Sequence, residues 1–126
     1  MFGIRWAFAR LLVAGGLMVA GIAAIHAAGA LAVGSCGAYG FAYDYKQEHA
    51  ARSAALGKCA GGGCKVVAAM KRNCAALAVD GRNACGAYGF AAAARLGPAQ
   101  NTALKQCYQN GGKDCMIRAF VCDAEG

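Results

Sequence analysis

The alternation of large and small residues predicts a β-strand at residues 36–43. Tyr39, Phe41 and Tyr43 fall on one face of this stretch, and small residues fall on the other. A period of two residues is typical of a strand. The alanine-rich stretch at about 47–59 has apolar residues on one stripe, which predicts a helix that three consecutive glycines end.

Two more strands are predicted after this helix. In the segment CKVVAAMKRNC, residues 64–74, alternation places Val66, Ala68 and Met70 on the same face as Cys64. The segment CAALAVDG, residues 74–81, predicts a strand that ends in an Asp-Gly turn.

The same pattern then recurs. The hexapeptide CGAYGF occupies residues 36–41 and 85–90, and the helical pattern A-x-x-x-A-L-x-x-C occupies 51–59 and 99–107. In the second copy, proline stands at the first position of the predicted helix. The strand CMIRAFVC, residues 115–122, places Ile117, Ala119 and Val121 on the face of Cys115.

These elements predict an α+β fold with two pseudo-symmetric strand–helix–strand repeats in one small domain. Repeat 1 is expected at about 36–80 and repeat 2 at about 83–123. Both helices are expected on one face of a mostly antiparallel or mixed sheet.

The first 30 residues have the composition of an export signal. Arg5 and Arg10 are the only charges, an apolar run covers residues 11–25, and Ala28-Gly29-Ala30 fits the small-x-small site of a signal peptidase. We expect cleavage after Ala30, with Ala32 as second choice, to leave an exported domain at 31–126. The protein would then be periplasmic or secreted.

Two alternatives remain at this end of the chain. The low-charge residues 11–33 are numerous enough to span a bilayer if they are retained as an anchor. The residues around Cys36 also loosely match a lipoprotein site, although acylation would leave an odd number of cysteines.

Eight cysteines follow the expected leader, and such density in a short exported chain predicts a disulfide framework. A cysteine that ends a helix lies close to the cysteine that opens the next strand. The four others form two sets that align between the repeats, and equivalent residues can meet near a pseudo-twofold axis. The predicted pairs are Cys59–Cys64, Cys107–Cys115, Cys36–Cys85 and Cys74–Cys122.

The order of these motifs resembles the exported bacterial family called domain of unknown function 4189. The motifs are a small/aromatic strand, the A-x-x-x-A-L-x-x-C helix, a C-x-V-V strand and a C-x-A-L-A strand, over residues 37–123. The resemblance implies secretion and the fold class, and it implies no activity. Cys36 and Cys85 depart from it, since they are additional to the six cysteines usual in that family.

No catalytic constellation is visible in the sequence. His49 and Ser53 are spaced for contact on a helix but have no orienting acid, and Asp44 with Glu48 form a solvated carboxylate pair at a helix start. The sequence contains no C-x-x-C motif, so we expect no redox dithiol. It also contains no paired histidine motif, and we expect no metal and no cofactor. The alternative function is a cell-envelope hydrolase whose site is not recognised.

We interpret the chain as a binding or interaction module for an envelope polymer or a protein partner, although its scattered basic residues by themselves favour ordinary solubility. Residues 31–126 hold 11 basic and six acidic residues, a formal charge of +5, without the basic-aromatic motif of nucleic-acid binders. Cations beside aromatic rings suit an acidic glycan or an anionic protein. The candidate binding face consists of Tyr39, Phe41, Tyr88, Phe90, Lys65, Lys71 and Arg118.

The other interpretation of this face is that its aromatic rings belong to the core and its cations only solvate a sheet. Residues 43–49 break the symmetry of the repeats most strongly, because their counterpart at 92–97 has one polar side chain.

Overall fold

The computed structural model describes residues 28–123, which form two units of three strands and one helix each. The first unit consists of β1 (Ala28–Val33), β2 (Tyr39–Tyr45), α1 (Glu48–Lys58) and β3 (Lys65–Lys71), with a short 3-10 turn at Ser35–Gly37 before β2. The second consists of β4 (Cys74–Asp80), β5 (Tyr88–Ala93), α2 (Leu96–Gln109) and β6 (Cys115–Cys122). No helix in the described part is long and apolar enough to cross a membrane.

Each unit folds into its own antiparallel sheet. The strand order is β2-β1-β3 in the first sheet and β5-β4-β6 in the second. The α+β class and the two pseudo-symmetric halves are confirmed. The single sheet that we expected is instead two sheets, because every unit contains a strand–strand–helix–strand sequence and closes its own ladder.

The four layers are stacked helix–sheet–sheet–helix. Leu31, Met70 and Leu77 are fully buried between the sheets, together with valines and alanines of both units. Each helix covers the outer face of its own sheet with alanines, such as Ala51 and Ala55 on α1. The helix-free faces of the sheets therefore cover each other, and only the edges of the sandwich stay open.

The structure corrects the boundaries of the two units. The first unit begins with β1, which we had assigned in part to the leader, and β4 opens the second unit rather than ending the first. The two strands share the sequence Ala-Leu-Ala-Val, at residues 30–33 and 76–79. This short repeat is the signal that could have identified β1.

The expected domain start at residue 31 falls in the middle of β1, a strand whose six residues are all buried. The alternative membrane anchor was expected at residues 11–33. Residues 28–33 of that stretch are paired within a sheet, so they belong to the folded domain. Cys36 is bonded to Cys85, which leaves no thiol there for acylation. Residues 1–27 lie outside the described part, so removal of a leader stays a prediction.

A β-bulge in each unit overturns the predicted strand faces. Leu31 pairs with Ala68 and Ala32 with Val66, so Val67 is an extra residue; Arg118 occupies the same position in β6. Val66 and Ile117 therefore face the helices, whereas Met70 and Val121 face the core between the sheets. One extra residue reverses the face of all that follow it.

The cysteine pairs are the four that the repeat predicts, and no cysteine among residues 28–123 is free. The reason for one pair was wrong. Cys74 and Cys122 are opposite each other on β4 and β6 of one sheet, where the first unit has Ala28 opposite Lys71. Among the described residues, the disulfide that joins the two units is therefore Cys36–Cys85.

Candidate functional site

The pseudo-twofold arrangement gives the sandwich two equivalent edges. At one edge β2 lies beside β6, and at the other β5 lies beside β3. We call them the β2–β6 edge and the β5–β3 edge. Equivalent positions can be compared directly, because the two halves share the same elements in the same order.

A row of three aromatic rings follows β2 along the β2–β6 edge. The ring centroids of Tyr39 and Phe41 are 6.1 Å apart with nearly parallel planes, and those of Phe41 and Tyr43 are 6.4 Å apart. Alternate residues of a strand point to one side, which produces the row. Tyr39 and Phe41 are half-buried against the core between the sheets, and Tyr43 is 51% exposed.

Arg118 reaches from the second unit to this row in the first. Its guanidinium carbon lies 5.6 Å from the centroid of Tyr39, within the range of a cation–π interaction. Its Nε donates a hydrogen bond of 3.2 Å to the carbonyl oxygen of Gly37. Arg118 is the extra residue of the bulge in β6. The cation of this edge is therefore at the position where β6 departs from regular alternation.

A second cation lies on the opposite flank of the row. Tyr39, Gly40, Phe41 and Lys58 line an open groove along β2. Lys58 is the last residue of α1, where the helix dipole favours a positive charge. The last turn of α1 lies directly on Gly40, which brings the backbone of Lys58 beside the aromatic strand.

The β5–β3 edge has the aromatic pair but no residue equivalent to Tyr43 or Arg118. Tyr88 and Phe90 stack with centroids 6.4 Å apart, at the positions equivalent to Tyr39 and Phe41. The position of Tyr43 is taken by Ala92, and that of Arg118 is taken by Val67. The two edges therefore share an aromatic pair, of which Tyr88 is 37% exposed, and they differ at the positions of Tyr43 and Arg118.

The predicted binding face is divided between the two edges. The structure brings Tyr39, Phe41 and Arg118 together and places Tyr88 and Phe90 on the opposite edge. Lys65 and Lys71 are exposed at opposite ends of β3. The prediction assumed one sheet with one open face, and that face became the interface between two sheets. Lys58 and Tyr43 belong to the site and were not included in the prediction.

Of the residues considered for catalysis, His49, Ser53 and Glu48 lie on α1, and Asp44 follows Tyr43 on β2. His49 and Ser53 are exposed on α1, and Glu48 forms an ion pair of 3.1 Å with Arg52 one turn later. Asp44 is exposed at an irregular position near the end of β2, with φ 57°. Among residues 28–123, no group of three histidine, cysteine or acidic side chains could hold a metal ion. The hydrolase alternative stays a prediction.

Two buried carboxylates organise turns: Asp80, whose Asp-Gly turn was predicted, and Asp123, which was not predicted. Asp123 is fully buried and accepts hydrogen bonds of 2.9 Å from the N–H groups of Arg72 and Asn73, which lie between the two units. Asp80 accepts from the N–H of Arg82 at 3.0 Å. The pKa of Asp80 is lowered from its ordinary value, first by this backbone hydrogen bond. Asp80 is the last residue of β4, and Asp123 directly follows β6. An aspartate at the end of a strand is typical of a turn, so the sequence contained a signal for both.

Comparison with known proteins places this fold in a family. No curated protein matches the chain. The NMR structure of Rv1813c from Mycobacterium tuberculosis is similar at a TM-score of 0.58 and 27% sequence identity, over 78% of this chain and 76% of that chain. Residues 28–122 match the model of DUF4189, a domain of unknown function, in agreement with the motif resemblance. The chain therefore belongs to the DUF4189 family.

Proposed function

We propose that this protein is an exported binding module whose β2–β6 edge holds an acidic polysaccharide. The observation that carries the proposal is the broken symmetry between the two edges. Of the two aromatic pairs, Tyr39, Phe41 and Phe90 pack against the core between the sheets, whereas Tyr88 is 37% exposed. Tyr43 and Arg118 occur at one edge only, and the other edge forms with alanine and valine in their places.

The chemistry of the β2–β6 edge suits sugar rings that carry carboxylates. Flat aromatic surfaces in a row can pack against the apolar faces of successive sugars, and the exposed ring of Tyr43 extends that row towards solvent. Arg118 and Lys58 lie on either flank of the row, where they can meet carboxylates. A linear uronic-acid polymer offers both features along its length.

The charge and the cysteines of the chain support this partner and its location. The formal charge of +5 on residues 31–126 favours approach to an anionic polymer. Four disulfides are compatible with an oxidising compartment outside the cytoplasm. An envelope or extracellular polysaccharide is therefore the occupant that we choose over an acidic protein.

Binding to immobilised polygalacturonate tests the proposal, with neutral dextran as the control polymer. We expect Arg118→Gln to weaken retention about 10-fold, which corresponds to about 1.4 kcal/mol. Lys65→Gln removes the same charge at the β5–β3 edge and should change retention less than about 2-fold, because only screened long-range attraction is lost. Tyr43→Ala should weaken retention, and Tyr88→Ala should not.

Equal losses for Arg118→Gln and Lys65→Gln would reduce the effect to net charge and contradict a site at the β2–β6 edge. Retention on dextran equal to that on polygalacturonate would contradict the choice of an acidic polymer. Binding to an acidic protein in the absence of binding to polygalacturonate would overturn the polysaccharide assignment.

A further inference from the structure

We infer that the leader is removed upstream of β1, by hydrolysis of the peptide bond between Ala23 and Ala24. The inference rests on export, which is part of the proposed function, and on the place of β1 in the fold. Water is the second reactant of the cleavage, which leaves a carboxylate on Ala23 and an amine on Ala24.

Cleavage after Ala30 would divide the central strand of the first sheet. Ala28 pairs with Tyr45 on one side and with Lys71 on the other, and Ala30 pairs with Ala42 and Ala69. Without residues 28–30, the facing halves of β2 and β3 would lose their shared partner. Their backbone N–H and C=O groups would then be left without the ladder that satisfies them.

The match to a peptidase site at residues 28–30 has a different physical origin. Ala28, Ala30 and Ala32 are buried together under α1, which requires small side chains at every second residue of β1. A strand with small residues on one face necessarily produces the small-x-small pattern. The apparent cleavage site is thus the helix-packing face of a strand.

A second small-x-small site lies upstream of the fold. Gly21-Ile22-Ala23 follows ten residues, 11–20, without charge, and this length fits the apolar region of a leader. Cleavage after Ala23 keeps the whole of β1 and leaves four residues, 24–27, before it. It also agrees with the family match, which begins at residue 28.

N-terminal sequencing and intact mass of the full chain, expressed in a bacterial host and purified from the periplasm, test the inference. We expect the product to begin at Ala24 and to carry four disulfides. A product that begins at Leu31 or Val33, or one that retains residues 1–23, would overturn it. Failure of export, seen as unprocessed cytoplasmic chain, would contradict the proposed function as well.

Two variants locate the cleaved bond. Ala23→Leu places a large residue next to that bond and should leave more than about 90% of the chain unprocessed. Ala20→Leu is the matched control within the apolar region and should be processed like the wild type. Normal processing of Ala23→Leu would overturn the assignment.

A refolding measurement tests the structural premise independently of export. Reduced chains of residues 24–126 and 31–126 are oxidised under the same conditions, and the yield of monomer with four disulfides is compared. We expect the shorter chain to lose at least about 10-fold in yield. Equal yields would show that the first half of β1 is dispensable and would remove the basis of the inference.

Discussion

Two glycines at equivalent positions allow each helix to lie directly on its sheet. A Cβ on Gly40 would collide with the carbonyl oxygen of Ala55 and lie 2.6 Å from the backbone nitrogen of Cys59. A Cβ on Gly89 would collide in the same way with the carbonyl oxygen of Ala103. These contacts are with helix backbone, which cannot move aside as a flexible side chain can.

We expect Gly40→Ala to lower the free energy of unfolding by at least about 1–3 kcal/mol, the usual cost of overpacking. Gly57→Ala is the matched control, because a Cβ there meets nothing within 4 Å on the exposed face of α1. That control should be neutral or stabilise by up to about 1 kcal/mol. Urea unfolding measures both, and an unchanged midpoint for Gly40→Ala would contradict the close packing.

The carboxylate of Asp80 makes stability depend on pH in a predictable direction. Its pKa in the folded protein is lowered from the ordinary 3.8, chiefly because the N–H of Arg82 donates to it. A lowered folded pKa means that the charged form stabilises the native state above pH 3.8, and that this contribution is lost as pH falls through the folded value.

The melting temperature of the wild type should therefore fall more steeply than that of Asp80→Asn as the solution is acidified below about pH 4. Thermal unfolding across a pH series measures the difference. Parallel curves for the two proteins would mean that the carboxylate makes no net contribution.

The four disulfides differ in their exposure to solvent, so a reductant should reduce them in a definite order. Cys36 and Cys85 are both exposed, each on the loop between the first two strands of its unit, whereas Cys74 is fully buried at the start of β4. Thiol–disulfide exchange requires access of the attacking thiolate to sulfur.

With limiting reductant and a trapping alkylating agent, we expect Cys36 and Cys85 to be labelled first. The pairs that contain the fully buried Cys74 and Cys107 should be labelled last. Peptide mapping by mass spectrometry gives the order of labelling. Early labelling of Cys74 would contradict the packing of the second sheet. The two units should stay associated after the first reduction, because the core between the sheets holds them.

The elements explain what could be predicted from sequence and what could not. β2, α1 and their copies β5 and α2 have local periodicity and strong stop signals, and these located them. The predicted start of α2 was wrong by two residues, because the helix begins at Leu96 and Pro98 is its third residue. β1 has small residues on its helix-facing side, and this pattern is shared with a cleavage site. The bulges at Val67 and Arg118 could not be predicted from the local sequence, because one extra residue changes the strand pairing without changing the composition of the strand.

At the scale of the whole molecule, the candidate site depends on which strands meet at an edge. The sequence identified Tyr39, Phe41 and Arg118, but their grouping follows from the stacking of two sheets, which brings β6 of one unit beside β2 of the other. Lys58 joins them because α1 ends on Gly40. Local patterns contain no information on either contact.

The duplicated architecture also provides its own internal control. The fold builds two similar edges from two similar units, and one of them has an additional exposed aromatic ring and a cation over Tyr39. Function is expected where the edges differ, since what they share is sufficient for folding. This comparison within one chain is the basis of the binding proposal.

A heteronuclear NMR titration with polygalacturonate fragments tests the central claim most directly, because it reads both edges in one experiment. We expect saturable shifts of the ring signals of Tyr39 and Tyr43 and of the Arg118 Nε–H, with the ring signals of Tyr88 and Phe90 unchanged at the same concentrations. Equal shifts at both edges, or shifts confined to the β5–β3 edge, would contradict a binding site at the β2–β6 edge.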